Sequence, residues 1–286
     1  MDKESVRRKK EHLIRLLQDA GSLLVAFSGG MDSAFLLASA HETLGEGVLA
    51  ATAISEIYPV REKDTAARFA SDRGVEHIVF RSEETSLPAF VTNGPDRCYH
   101  CKRSLFQKLI KIAEDRGIKH VAHGANADDL DDYRPGFRAA GEMGIMAPLL
   151  DVGLRKREIG FLSKEMGLST WDKPAMACLA TRIPYGTPIT AEKLKMIEES
   201  EAFLFDKGVG QCRVRHHGSV ARIEVEGPGL RMIMGNDLRK RIVGKFREIG
   251  FLHIAVDLEG YVPGSMNRAL EVENAESKGQ SAKGRL

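Results

Sequence analysis

The chain predicts an α/β fold: a doubly wound, mostly parallel sheet followed by a small α+β domain. Three observations carry this. Apolar runs at 23–27, 48–54, 75–80 and 120–124 alternate with helix-like segments, the pattern of a parallel sheet covered on both faces. The first run breaks into two glycines and reopens as a helix, which places a ligand site at the carboxyl ends of the strands. After about residue 172 the alternation stops, and an irregular stretch leads into a shorter helix, hairpin, helix and strand series. The expected boundaries are 1–172 and 173–271, with a tail at 272–286 that has almost nothing to bury and is expected to be disordered.

Residues 4–19 set Leu13, Ile14, Leu16 and Leu17 on one helical face, below a basic opening. The segment 59–73 opens at Pro59, and 101–116 closes at Gly117, positions where those residues start and stop helices. Later, a helix is expected over 191–205. The runs 211–216 and 220–225 are separated by His217, Gly218 and Ser219 and read as a hairpin. A helix over 237–249 and a strand over 252–256 complete the unit.

With 42 basic and 40 acidic residues, the net charge of +2 does not point to a nucleic-acid binder. No apolar stretch approaches the roughly 18 residues of a membrane helix. The opening Met1, Asp2, Lys3, Glu4 lacks the apolar core of a signal peptide. A cytoplasmic homo-oligomer is expected, so the four cysteines are read as thiolates or metal ligands rather than disulfides.

Ser28-Gly-Gly-Met-Asp-Ser33 is the most informative segment. A strand that turns through Gly29 and Gly30 into a helix presents unpaired N–H groups at a positive dipole end, an anion cradle. Ser28 and Ser33 add hydroxyl donors, and Asp32 suits a Mg²⁺ that bridges phosphates. The segment lacks the lysine of a Walker loop and the GxGxxG pattern of a dinucleotide site. It resembles the pyrophosphate loop (PP-loop) of the ATP pyrophosphatase superfamily, which implies cleavage of ATP between its α and β phosphates. His123-Gly-Ala-Asn-Ala-Asp-Asp129 follows a predicted strand to the same sheet edge. There Gly124 and Asn126 shape the turn, while Asp128 and Asp129 complete Mg²⁺ coordination or touch the ribose, or simply cap a helix.

Cys98-Tyr-His-Cys101 is a C-x-x-C pair, and Cys178 adds a third thiol. Three thiolates on a cubane leave one iron open; a zinc site recruiting Cys212, a redox pair and spectator thiols are the alternatives. Cys212 itself alternates with Val214 and reads as a buried structural thiol. Arg213 and Arg215 leave the opposite side of that strand as a bidentate phosphate grip, unless that side is a solvated face.

Together with Cys178-Leu-Ala-Thr-Arg-Ile-Pro-Tyr-Gly186, Ala221-Arg-Ile-Glu-Val225, Asp257-Leu-Glu-Gly-Tyr261 and Gly264-Ser-Met-Asn267, these segments resemble the LarE family over nearly the whole chain. The resemblance implies an ATP-dependent sulfur transferase that adenylates the carboxylates of pyridinium-3,5-biscarboxylate mononucleotide and turns them into thiocarboxylates for a nickel-pincer cofactor. It implies ATP bound by Ser28, Gly29, Gly30, Asp32, Ser33, Gly124, Asn126 and Asp128, with Asp32 and Asp128 on Mg²⁺. It also implies a [4Fe-4S] cluster on Cys98, Cys101 and Cys178 that delivers sulfide, the branch in which no cysteine is consumed. Substrate falls to Thr181, Arg182, Arg213, Arg215, Glu224 and Asp257, with Arg182 also catalytic. A tRNA thiolase, an ammonia-using amide synthetase and a nucleotide sensor are the competing readings.

Overall fold

The computed structural model describes residues 1–131, 135–174 and 176–268; the tail expected at 272–286 lies outside them. Along the chain run α1 (Lys3–Ala20), β1 (Leu23–Ala26), α2 (Met31–Leu44), β2 (Val48–Ile54), α3 (Val60–Asp72), β3 (Glu76–Arg81), α4 (Pro88–Val91), α5 (Arg97–Asp115), β4 (His120–His123), α6 (Gly136–Glu142), α7 (Pro148–Asp151) and α8 (Lys156–Glu165). Then follow α9 (Ala191–Asp206), β5 (Cys212–His217), β6 (Val220–Val225), α10 (Gly227–Met234), α11 (Asn236–Ile249) and β7 (His253–Val256). No helix of the described residues is long and apolar enough to cross a membrane.

The chain divides into two compact units. The first holds Met1–Leu87 and Cys98–Ala177; the second holds Pro88–Arg97 and the chain from Cys178. The division thus falls later than residue 172, because Lys173 is anchored in the first unit by bonds to the Gly29 carbonyl (2.9 Å) and Glu62 (2.8 Å).

In the first unit β3-β2-β1-β4 form a parallel sheet. Successive strand side chains point to opposite faces, so the apolar runs fill two cores at once. Leu23, Val25, Val48 and Ala50 pack with α1, α2, α3 and α8. Leu24, Leu49, Ala51 and Val121 pack with Leu105, Phe106 and Leu109 of α5 and Ala140 of α6. In the second unit β5 and β6 pair antiparallel and β7 joins β6 in parallel. Cys212, Val214, Ala221 and Ile223 face Leu204, Ile242 and Phe246. The buried thiol of Cys212 therefore belongs to this core.

Candidate active site

The glycine turn after β1 forms because Gly29 takes a φ of +72°, a left-handed conformation open to glycine, and a Cβ there would lie 3.2 Å from Ala66. The turn closes on itself. Ser28 N–H donates to Ser33 Oγ (3.3 Å), the two hydroxyls lie 3.1 Å apart, and Ser33 Oγ donates to the Gly30 carbonyl (3.1 Å). Gly30 caps α2 without a side-chain bond, and Asp32 sits in the first turn beside that dipole end.

The segment after β4 comes against this turn. A Cβ on Gly124 would lie 2.9 Å from Ser33 N, so only glycine allows the approach. Asn126, fully buried, donates from Nδ2 to Asp32 Oδ2 (3.2 Å) and orients that carboxylate. Asn126 N–H in turn donates to Asp129 Oδ2 (3.0 Å). Asp128 is engaged elsewhere: Oδ1 accepts from Arg155 (2.6 Å) and Oδ2 from the Lys156 N–H at the start of α8 (2.7 Å). Of the two carboxylates expected on Mg²⁺, Asp32 lies at the glycine turn on Asn126, and Asp128 lies at the start of α8. Lys173, which no motif flagged, brings an ammonium to the Gly29 carbonyl. Beside them His123 lies between Phe106 and Phe137, at 5.7 and 5.9 Å between ring centres. Burial, and then the charge of Lys102, push its pKa down to about 4, so it is neutral.

Cys98 and Cys101 occupy the first turn of α5, three residues apart and therefore on one helical face; Cys98 is half-buried and Cys101 buried. Both belong to the first unit, and Cys178 to the second. Within either unit, among the described residues, no three His, Cys, Asp or Glu side chains gather as metal ligands.

Cys178 is held by its own backbone. Its carbonyl accepts from Thr181 N–H (3.0 Å), Thr181 Oγ1 (2.8 Å) and Arg182 NH1 (3.0 Å), while the thiol stays half-buried. Arg182 is fully buried and forms a two-pronged pair with Glu201 (2.9 and 2.8 Å). Burial works against its charge, but Glu201 outweighs it and holds the guanidinium pKa above the ordinary value. Glu201 Oε1 also accepts the Val214 N–H (2.9 Å), which ties α9 to β5. Arg182 thereby fixes the turn that presents Cys178.

The face of β5 opposite Cys212 is buried, not solvated. Arg213 is 2% exposed, donates to the Cys212 carbonyl (2.7 Å) and lies 4.9 Å over the Tyr261 ring. Arg215 donates to Glu224 (2.6 Å), to the Thr181 carbonyl (3.1 Å) and to Ser265 (3.5 Å). Arg222 shares Glu224 (2.9 Å) and pairs with Asp257 (3.4 Å). Register explains the gathering, since Arg213 faces Glu224 and Arg215 faces Arg222 across the hairpin. Burial and the neighbouring Arg182 charge pull the Arg213 pKa below its ordinary value. Thr181, Arg182, Arg213, Arg215, Glu224 and Asp257 thus share one region of the second unit. Sequence reasoning missed Glu201 and Lys173 as partners, and no local motif marks either.

No family model matches the chain. It is 37% identical over 262 residues, 92% of this chain and 98% of the relative, to an uncharacterized protein of Synechocystis sp.. It is 33% identical over 266 residues, 92% of this chain and 95% of the relative, to the pyridinium-3,5-bisthiocarboxylic acid mononucleotide synthase of Lactiplantibacillus plantarum. An uncharacterized protein of Methanocaldococcus jannaschii is 30% identical over 246 residues, 84% of this chain and 90% of that one.

Proposed function

The chain belongs to the family of the pyridinium-3,5-bisthiocarboxylic acid mononucleotide synthases, and we propose that it is an ATP-dependent sulfur transferase acting on the carboxylates of a pyridinium mononucleotide. The observation that supports this reading is that the chain carries both a glycine anion cradle in its first unit, with Asp32 oriented by Asn126, and a buried arginine cluster in its second.

The amides at the start of α2, with Ser28, Ser33 and the two glycines, hold the phosphates of ATP. Asp32 would hold Mg²⁺, which supplies charge neutralisation on those phosphates. A substrate carboxylate oxygen attacks the α phosphorus, the bond to the β-phosphate oxygen breaks, and pyrophosphate leaves. This step makes an acyl-adenylate, whose AMP is a far better leaving group than an oxide. Sulfur then attacks the acyl carbon and AMP departs with the bonding pair.

In the second unit, among the described residues, Arg182, Arg213, Arg215 and Arg222 face Glu201, Glu224 and Asp257. An anionic substrate group would take charge-assisted hydrogen bonds from these guanidiniums. Cys98 and Cys101 offer two soft thiolates from one helical turn and Cys178 a third, a donor set suited to a [4Fe-4S] cluster that would supply a reusable sulfide.

The test is anaerobic incubation with ATP, Mg²⁺, the biscarboxylate mononucleotide and sulfide. Expected products are AMP, pyrophosphate and the thiocarboxylate, with iron bound and the protein mass unchanged. Release of ADP and orthophosphate refutes the adenylation. Loss of the mass of H₂S from Cys178 with no iron bound replaces the cluster by a sacrificial cysteine.

A further inference from the structure

Asn93 is fully buried and, among the described residues, is the non-glycine residue with a left-handed backbone, at φ 59°. Its side chain works as a staple. Nδ2 donates to the carbonyls of Pro184 and Thr187 (both 2.8 Å) and, more weakly, Ile183 (3.4 Å), while Oδ1 accepts from Arg97 NH1. Its carbonyl accepts the Gly186 N–H (3.0 Å), and Ile189 N–H donates to Val91 (2.9 Å) nearby. An amide is the side chain that can both donate and accept here, and asparagine tolerates this backbone region better than most residues.

Arg97 is the unusual partner. It is 3% exposed, lies 4.6 Å over the Tyr185 ring, and has no carboxylate partner among the described residues; its Nε makes no hydrogen bond. A guanidinium buried against a ring and an amide, without a counter-charge, is an expensive way to stabilise a loop. Its planar face does fix direction, because stacking and the Asn93 bond orient it in two planes.

The network has two ends. Arg97 is bonded through its own peptide to Cys98. Ile183, which Asn93 reaches, follows Arg182, whose guanidinium holds the Cys178 carbonyl. We infer that Asn93 and Arg97 are positioning residues for the sulfur chemistry, holding the backbone that leads into Cys98 to the loop that follows Arg182 within the second unit. This rests on the reading that these cysteines carry the sulfur.

The experiment compares wild type with Asn93→Gly, which keeps the left-handed backbone and removes only the staple, and Arg97→Lys, which keeps the charge and loses the planar face. Three measurements are made: iodoacetamide alkylation of each cysteine in the iron-free protein by peptide mass spectrometry, iron per chain with the electron paramagnetic resonance spectrum after reconstitution and reduction with dithionite, and substrate-dependent pyrophosphate release. In both variants Cys98 should alkylate about tenfold faster, because local opening sets reagent access. Iron and thiocarboxylate yield should fall and the spectrum change, while pyrophosphate release stays at the wild-type rate. A merely structural role would lower all activities together with the melting temperature. Wild-type alkylation and spectra in both variants overturn the inference, as does a parallel fall of pyrophosphate release and sulfur transfer. Should Asn93→Gly not fold, Arg97→Lys decides. Failure of wild type itself to bind iron overturns the cluster reading instead, and the alkylation comparison still judges the staple.

Discussion

Replacing Arg182 by Met should destabilise the protein severely. The residue is fully buried, both its terminal prongs reach a carboxylate that is itself 3% exposed, and a further bond holds the Cys178 carbonyl. Removing one partner of a buried pair leaves the other charge without compensation, at a cost of about 3–5 kcal/mol. Glu201 would retain the Val214 N–H and the attraction of the neighbouring Arg213 charge, which make up only part of what a buried carboxylate needs. With a urea slope of about 2 kcal/mol per molar, the midpoint should fall by about 2 M. Glu201→Leu in the same chain removes the stranded charge, leaving mainly the orphaned Val214 N–H, worth about 1–3 kcal/mol. The double variant should therefore be more stable than Arg182→Met alone. Urea titrations followed by circular dichroism read both values. A single variant within about half a molar of wild type, or a double variant no more stable than the single one, would refute the account of this pair as an electrostatic pin.

His123 gives a pH dependence. Its pKa is near 4 in the fold and about 6.5 in the unfolded chain, so stability is full above 6.5 and declines as pH falls towards 4, by about 3 kcal/mol at most. The decline should flatten in His123→Gln when urea midpoints are compared across that range. Gly124→Ala sets a methyl 2.9 Å from the Ser33 nitrogen, main-chain atoms that cannot move aside, so about 1–3 kcal/mol of stability and much of the ATP affinity should be lost. Gly141→Ala, with nothing within 4 Å, is the control and should be neutral or stabilising. Arg213→Ala should weaken mononucleotide binding by about 1.5–3 kcal/mol by calorimetry, leaving ATP binding alone. Arg215→Ala should also lower the melting temperature, because it takes one of two cations from buried Glu224; equal losses of both affinities would remove the arginines from the substrate site.

How much of this was legible depended on whether the determinant was local. The strand at 48–54 and the helices opened at Pro59 and closed at Gly117 appear where residue chemistry punctuates the chain. Helix α10 opens with Gly227, Pro228 and Gly229, which reads as a turn, and only packing of Ile233 into the second core makes it a helix. The phosphate turn was legible because its bonds run over five residues or fewer. Asp128 is ambiguous for the same reason: a carboxylate beside a turn can hold a cation or cap a helix, and its bond to the distant α8 N-terminus exists only in the folded chain. The arginine face shows the limit most clearly. Alternating Arg213, Val214 and Arg215 specify which side each residue takes, and the pattern is the same whether the charged side meets water or protein. What buries it is the cover formed by Thr181 and by Tyr261 and Ser265, and what makes burial tolerable is Glu201 and Glu224. Glu201 comes from a helical run of acids at 198–201 that by itself reads as solvated. A charged strand face can be buried when distant carboxylates balance it, and that balance exists only in the folded chain.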